Sequence, residues 1–130
     1  MYKAIEIGGK RIELTSNAAT PRLYQRIFKQ DLLKAFSSIN TDDNTEKAVL
    51  GDSELETIEM CKRLAYVLNM QATKPFREAY STTDEIDYLE WLSQFEEDDF
   101  YKSEVLLDII GVWQKSAHTT IESKNQVSPQ

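Results

Sequence analysis

The sequence predicts an α+β fold, mainly α, in which an N-terminal two-stranded β-hairpin packs on a bundle of about four to five helices. Alternating polar and apolar residues flank Gly8-Gly9, whereas the later apolar residues recur at helical spacing. With 130 residues, of which 41% are hydrophobic, the chain is long enough for one modest core. We therefore expect a single globular domain over residues 1–118, followed by a polar, frayed tail over 119–130.

The hairpin prediction rests on Gly8-Gly9, which can supply the two positive-φ residues of a two-residue turn. This turn would place Ile5 opposite Ile12, and Glu6 opposite Arg11 as a cross-strand charge pair. One face of the hairpin is then apolar, and a two-stranded sheet alone is marginally stable, so this face must be covered. The residues of that face are Ile5, Ile7, Ile12 and Leu14.

The next segment predicts two short helices rather than one. Thr20 is a candidate N-cap and Pro21 suits the first helical position. The apolar side then shifts by about 130° along the segment, which a straight helix cannot accommodate. We therefore expect a break near Lys29-Gln30, with Asp31 capping the second helix.

A long helix is predicted from Ser53 and Glu56, which form a capping box, to about Ala72. Pro75 should end it or separate it from the next segment. Its predicted buried side consists of Leu55, Ile58, Cys61, Leu64, Ala65 and Leu68.

A second capping box, Thr82 with Glu85, should open a helix whose apolar residues cover an arc of about 220°, wider than a surface helix normally buries. Trp91 and Phe95, with Tyr88 beside them, lie at one margin of this arc. They can serve either as core residues or as part of a groove that takes an apolar helical face of a partner. The arc contains Ile86, Tyr88, Leu89, Trp91, Leu92 and Phe95.

The last helix should begin near the acids at 96–99, because carboxylates suit a helix N-terminus. Its apolar residues leave only a narrow polar edge, so we expect it to form the centre of the core. These residues are Val105, Leu106, Ile109, Ile110, Val112, Trp113 and Ala117.

Charge is unevenly distributed in this chain of net charge −7. Residues 1–39 hold seven basic and three acidic residues, whereas residues 84–104 hold nine acids and only Lys102 as a base. The two parts could pair within the fold or between copies, or simply be solvated. An acidic chain with no dense basic patch is a poor nucleic-acid binder. A single cysteine and the absence of a long apolar run favour a soluble, non-exported protein.

No pattern of catalytic, cofactor-binding or metal-binding residues stands out. Gly8-Gly9 lacks the further residues of a phosphate loop. Counted from Asp42, residues 42–53 have Lys47 at the sixth position, where a calcium loop needs Gly, and Ser53 at the twelfth, where it needs Glu. Cys61 fits an apolar helix face, and His118 a solvated margin near the tail. The acids at 96–99 are more typical of caps than of acid/base catalysis. We therefore predict a non-enzymatic protein.

The order of these features resembles the tail assembly chaperones of long-tailed bacteriophages (siphophages or prophages) of Gram-positive bacteria. The similarity covers roughly residues 3–115 and is most specific at Thr20–Phe36 and Tyr88–Phe95. The family often carries a glycine where the first helix turns, whereas this chain has Lys29-Gln30.

The resemblance implies a non-enzymatic protein in the host cell cytoplasm that binds the tape measure protein, keeps it soluble and helps recruit tail tube subunits. Such proteins are absent from the finished virion. The major tail protein and a second copy are further candidate partners. The alternatives are a small acidic phage or host regulator that binds one globular protein and, from a different class, a small hydrolase built on the acids.

Overall fold

The computed structural model describes residues 1–37, 54–81 and 85–114. These form an N-terminal antiparallel hairpin followed by a mainly helical remainder, which confirms the predicted α+β fold class. Outside the described residues lie 42–53, which include Ser53 of the first capping box. The same holds for Thr82 of the second capping box, Ala117, His118 and the tail. In chain order the elements are β1 (Tyr2–Ile7), β2 (Lys10–Thr15), α1 (Thr20–Phe28), α2 (Leu32–Ser37), α3 (Glu54–Thr73), α4 (Phe76–Ser81), α5 (Glu85–Leu92), a 3₁₀ turn (Glu97–Phe100) and α6 (103–114).

The hairpin has the predicted register. Gly8 and Gly9 have φ angles of 60° and 81°, and Ile5 lies opposite Ile12. Glu6 also lies opposite Arg11, but the guanidinium pairs instead with Glu13, at 3.2 Å from Oε2. Arg11 and Glu13 are two residues apart and therefore lie on the same side of β2. Arg11 can thus reach the Glu13 carboxylate as well as that of Glu6, its cross-strand neighbour.

The apolar face of the hairpin is covered, as the alternation requires. α3 lies across β2, and the Asn69 side-chain amide donates a hydrogen bond of 2.9 Å to the backbone carbonyl of Glu13. The hairpin also contacts α6: Ser16 Oγ, just after β2, donates to the carbonyl of Val112, and Lys3 of β1 pairs with Asp108 at 3.2 Å. The buried hairpin residues are Ile5, Ile7, Ile12 and Leu14.

α1 begins one residue earlier than predicted. Ala19 is its N-cap, so Thr20 already lies in the helix. The Thr20 hydroxyl is buried, donates to Gln71 Oε1 at 2.6 Å and accepts from the backbone N–H of Asn17. Its hydroxyl joins α1 to α3 instead of capping the helix, while Asn17 Oδ1 accepts from the Ala19 N–H.

The predicted break after α1 is present. Lys29 takes the left-handed conformation with φ 58°, and its N–H closes α1 by donating to the Gln25 carbonyl. Asp31 Oδ1 then accepts from the Lys34 N–H at 3.3 Å, which is the predicted cap of α2. The turn forms without glycine, although a left-handed L-residue costs roughly 1 kcal/mol.

α3 is buried on most sides along its middle, because β2, α1, α4 and α5 all contact it. α3 therefore lies at the centre of the core together with α6, whereas the sequence predicted this position for α6 alone. One predicted core residue is wrong: Leu55, at the N-terminal end of α3, is 75% exposed. The helix ends at Thr73 and Pro75 separates it from the next segment, as predicted; that segment forms α4, a short helix that was not predicted from the sequence.

The acids at 96–99 do not start the last helix. Residues 97–100 form a 3₁₀ turn, and α6 begins at residue 103. Asp99 is buried, and its Oδ2 accepts from the Glu96 N–H at 2.8 Å. The same carboxylate packs against Gly8, where a Cβ would clash with it. The segment therefore connects α5 to α6 and fixes the hairpin turn.

Candidate functional site

α5 carries two of the three predicted partner-binding residues, and it buries one of them. Tyr88 is 4% exposed, and its ring packs edge-to-face on Phe28 at 4.9 Å and on Tyr66 at 5.3 Å between centroids. Its hydroxyl is buried without a hydrogen bond of good geometry. Burial raises the pKa of Tyr88 above its ordinary value of 10, and the nearby Arg63 guanidinium partly opposes this rise. Tyr88 thus anchors α5 to α1 and α3.

Trp91 is half-buried and held by both its ring and its nitrogen. The indole packs on Tyr66 at 5.4 Å, and Nε1 donates to Asn69 Oδ1 at 3.0 Å. Asn69 in turn donates to the Glu13 carbonyl of β2. This chain of hydrogen bonds ties the Trp91 side chain to the hairpin and fixes its orientation.

Phe95 lies beyond α5, because the helix ends at Leu92. The Ser93 hydroxyl and the Gln94 side-chain amide donate to the carbonyls of Glu90 and Trp91, and these bonds satisfy the last turn of the helix. The Phe95 ring then packs on Trp91 at 5.1 Å and on Phe100 at 5.3 Å. Tyr88, Trp91 and Phe95 therefore belong to one continuous aromatic cluster, although not to one helix face.

A groove of about 350 Å³ runs between α3 and α5 beside this cluster. Trp91 lines it, whereas Phe95 and Tyr88 do not. Lys74 also lines the groove and pairs with Glu78 at 3.4 Å. The complete lining is Tyr66, Asn69, Met70, Lys74, Asp87, Glu90 and Trp91.

The most exposed apolar residues of α5 lie at the other margin of the arc, which the sequence interpretation did not select. Ile86 is 62% and Leu89 is 53% exposed. The carboxylates of Glu85, Asp87 and Glu90 around them are exposed too. The wide arc was the sequence signal for this surface, but the arc does not say which margin the core covers.

Few charges of the predicted basic and acidic parts are neutralised by ion pairs within the described residues. Four ion pairs occur there, and none involves the acids between residues 85 and 104. Lys3 pairs with Asp108, just beyond this acidic part. The exposed acids of α5 therefore stay available to a basic partner.

The described side chains offer little reactive chemistry. Burial raises the pKa of the Cys61 thiol to about 12, so the thiol is protonated at neutral pH. No group of three or more His, Cys, Asp or Glu residues that could hold a metal occurs within residues 1–37, 54–81 and 85–114.

Comparison with known proteins assigns no family to this chain, so its function has to be inferred from the physical features described above. In the described ranges, no helix combines the length and the apolar character needed to cross a membrane. No family model, curated protein or solved structure was found to match this chain.

Proposed function

We propose that this protein is a non-enzymatic phage tail assembly chaperone that binds the tape measure protein, keeps it soluble and helps recruit tail tube subunits. It would act in the host cell cytoplasm and be absent from the mature virion. The resemblance of Thr20–Phe36 and Tyr88–Phe95 to that family motivates the proposal.

The observation that carries the proposal is the groove between α3 and α5 with Trp91 in its wall. Aromatic side chains held in one orientation concentrate binding energy, because little side-chain entropy is lost when a partner docks. Trp91 is so held by Asn69 and Tyr66 while remaining half-buried. A helix of the client laid along α5 would contact the open side of the indole.

Co-expression with the tape measure protein tests the proposal directly. We expect the wild-type chain to keep the tape measure protein in the soluble fraction and to co-elute with it in size-exclusion chromatography. A tape measure protein that is equally insoluble with and without this chain would contradict the function. It would favour the regulator of one globular partner.

Trp91→Ala tests the site. We expect a loss of about 2 kcal/mol in client affinity, roughly thirtyfold. Phe76→Ala is the matched control, because Phe76 is an exposed aromatic residue of α4. Circular dichroism should show both variants folded. An unfolded Trp91→Ala variant would assign Trp91 to the core, and the client site would then have to be sought at the edge of the hairpin.

A further inference from the structure

The outer face of α5 combines exposed apolar side chains with unneutralised acids in a regular order. At about 100° per residue, Ile86 and Leu89 lie side by side, and Glu85 and Glu90 lie on either flank of them. Tyr88 and Trp91 point away from this side, toward the core, and Leu92, next to Leu89, is partly buried against the core. The result is an apolar strip, defined as Ile86 and Leu89, with a carboxylate along each border.

The strip continues into the groove beside α3. Asp87 and Glu90 line this groove together with Trp91, so the acidic border of the strip is also the rim of the groove. Within the described ranges, Glu85, Asp87 and Glu90 form no ion pair. A partner that covers this surface must therefore bring apolar side chains for the strip and basic side chains for its borders.

We propose that the strip and the adjoining groove dock a basic amphipathic helix of another protein, one that carries Lys or Arg on both sides of its apolar stripe. Ile86 and Leu89 are three residues apart, which is the spacing at which two helices interlock their side chains. The identification of this helix as part of the tape measure protein rests on the proposed function. The kind of helix that fits the surface is inferred from its chemistry alone and does not depend on that function.

A second copy of this chain is a poorer occupant. α1 carries the exposed bases Arg22 and Arg26. Its apolar residues Leu23, Tyr24 and Ile27 are buried, however, so it has no stripe to offer the strip. α1 thus lacks the combination that the surface requires. Leu33 of α2 and Phe76 of α4 are exposed beside a base, but each lies on a helix of six residues, too short to carry bases on both sides of an apolar stripe.

Fluorescence anisotropy with a labelled synthetic helix of Leu and Lys at helical spacing tests the proposal. We expect Leu89→Ala to weaken binding about tenfold, because it removes half of the apolar strip. The double variant Glu85→Gln, Glu90→Gln should also weaken it several-fold, since each exposed charge contact contributes a factor of a few. Binding should fall as salt rises, because exposed charges are screened over about 10 Å at 0.1 M.

Leu55→Ala and Glu56→Gln are the matched controls, because both residues are exposed on α3 away from the strip. They should bind the peptide within about twofold of the wild type, in line with small surface effects. Equal binding of a peptide with Glu in place of Lys would overturn the charge argument. Unchanged affinity in Leu89→Ala would overturn the assignment of the surface.

Two further outcomes separate this inference from the proposed function. If the tape measure protein co-elutes but the Leu/Lys peptide does not bind, the inference is wrong and the function stands. If the peptide binds at α5 but the tape measure protein does not co-elute, the function is wrong and the surface stands. Light scattering that shows a wild-type dimer, split by the Glu85→Gln, Glu90→Gln change, would assign the face to a second copy.

Discussion

The hairpin and α5 both carry amphipathic patterns, but the fold covers them very differently. All four apolar residues on the inner face of the hairpin are buried. On α5, Tyr88 is buried and Trp91 is half-buried, while Ile86 and Leu89 are exposed. The same class of residue therefore serves the core in one element and the surface in the other.

The difference follows from geometry. A strand has two faces, so its alternating apolar residues all point to the same side of the sheet, where α3 contacts β2. A helix with an arc of about 220° cannot turn all of it toward one neighbour, because a single packing contact covers about half as much. Excess apolar arc on a short peripheral helix thus leaves apolar side chains exposed, whereas alternation on a hairpin places them in the core.

The largest effect is expected from a pair of matched truncations. Ile7→Ala should lower the free energy of unfolding by about 3 kcal/mol, because Ile7 is fully buried and its removal leaves a cavity. Ile86→Ala should change it by less than about 0.5 kcal/mol, since most of that side chain stays in water. Urea denaturation of both variants measures the contrast. Equal losses would abolish the distinction between the two regions.

The hairpin turn should show the next largest effect. Gly8→Ala should cost about 2 kcal/mol, because the residue has positive φ and its Cβ would clash with the Asp99 carboxylate. Gly9→Ala should cost only about 1 kcal/mol, since open space surrounds Gly9 and the conformational strain alone remains.

Asp99→Ala supplies the control for this comparison. In the Asp99→Ala background the two glycine substitutions should cost nearly the same, because the clash is gone. Thermal melting of the single and double variants measures this coupling. A difference between Gly8→Ala and Gly9→Ala that persists without Asp99 would mean that the carboxylate is not its cause.

The smallest expected effect is a gain in stability at Tyr88. Tyr88→Phe should stabilise the fold by up to about 1 kcal/mol at pH 7, because it removes a buried hydroxyl that has no hydrogen bond of good geometry. Tyr24→Phe should not stabilise it, since the Tyr24 hydroxyl donates to Gln30 Oε1 at 3.4 Å. Chemical denaturation of the two variants distinguishes them. Destabilisation by Tyr88→Phe would show that its hydroxyl is satisfied.

The benefit of Tyr88→Phe should grow at alkaline pH. Burial raises the pKa of Tyr88, so the folded state keeps a proton that the unfolded state loses above pH 10. Ionisation of the unfolded state therefore costs the wild-type fold nothing below pH 10 and lowers its stability as the pH rises beyond 10. Above pH 10 the wild type should therefore lose stability relative to the variant as the pH rises. Parallel pH dependences would contradict this.

Local patterns in the sequence were enough to predict the hairpin register and the break at Lys29, because each depends on neighbouring residues. Leu55 was misassigned because helical spacing predicts a side but not how far along the helix the neighbours extend. Phe95 was expected on α5, but the helix ends earlier, where backbone turn bonds and the side-chain bonds of Ser93 and Gln94 close its last turn.

Contacts between distant segments of the chain, including that of the predicted partner-binding residue Trp91, could not be predicted from local patterns. No local pattern indicates the contact between Asp99 and Gly8, because it joins segments distant in the chain. Nor could the arc on α5 reveal that Trp91 would be held by Asn69, a residue of another helix. Which margin of α5 faces the core is a property of the assembled fold.

The hydrogen bond from Ser16 to Val112 joins residues that are 96 positions apart. A ribosome that adds about 5–20 residues per second makes the second partner roughly 5–20 s after the first. During this interval the nascent hairpin and α3 have no α6 beside them, and the core stays open on that side. Slower translation between these two positions would lengthen that exposure, and the fraction of newly made chains that aggregate before folding should rise with it.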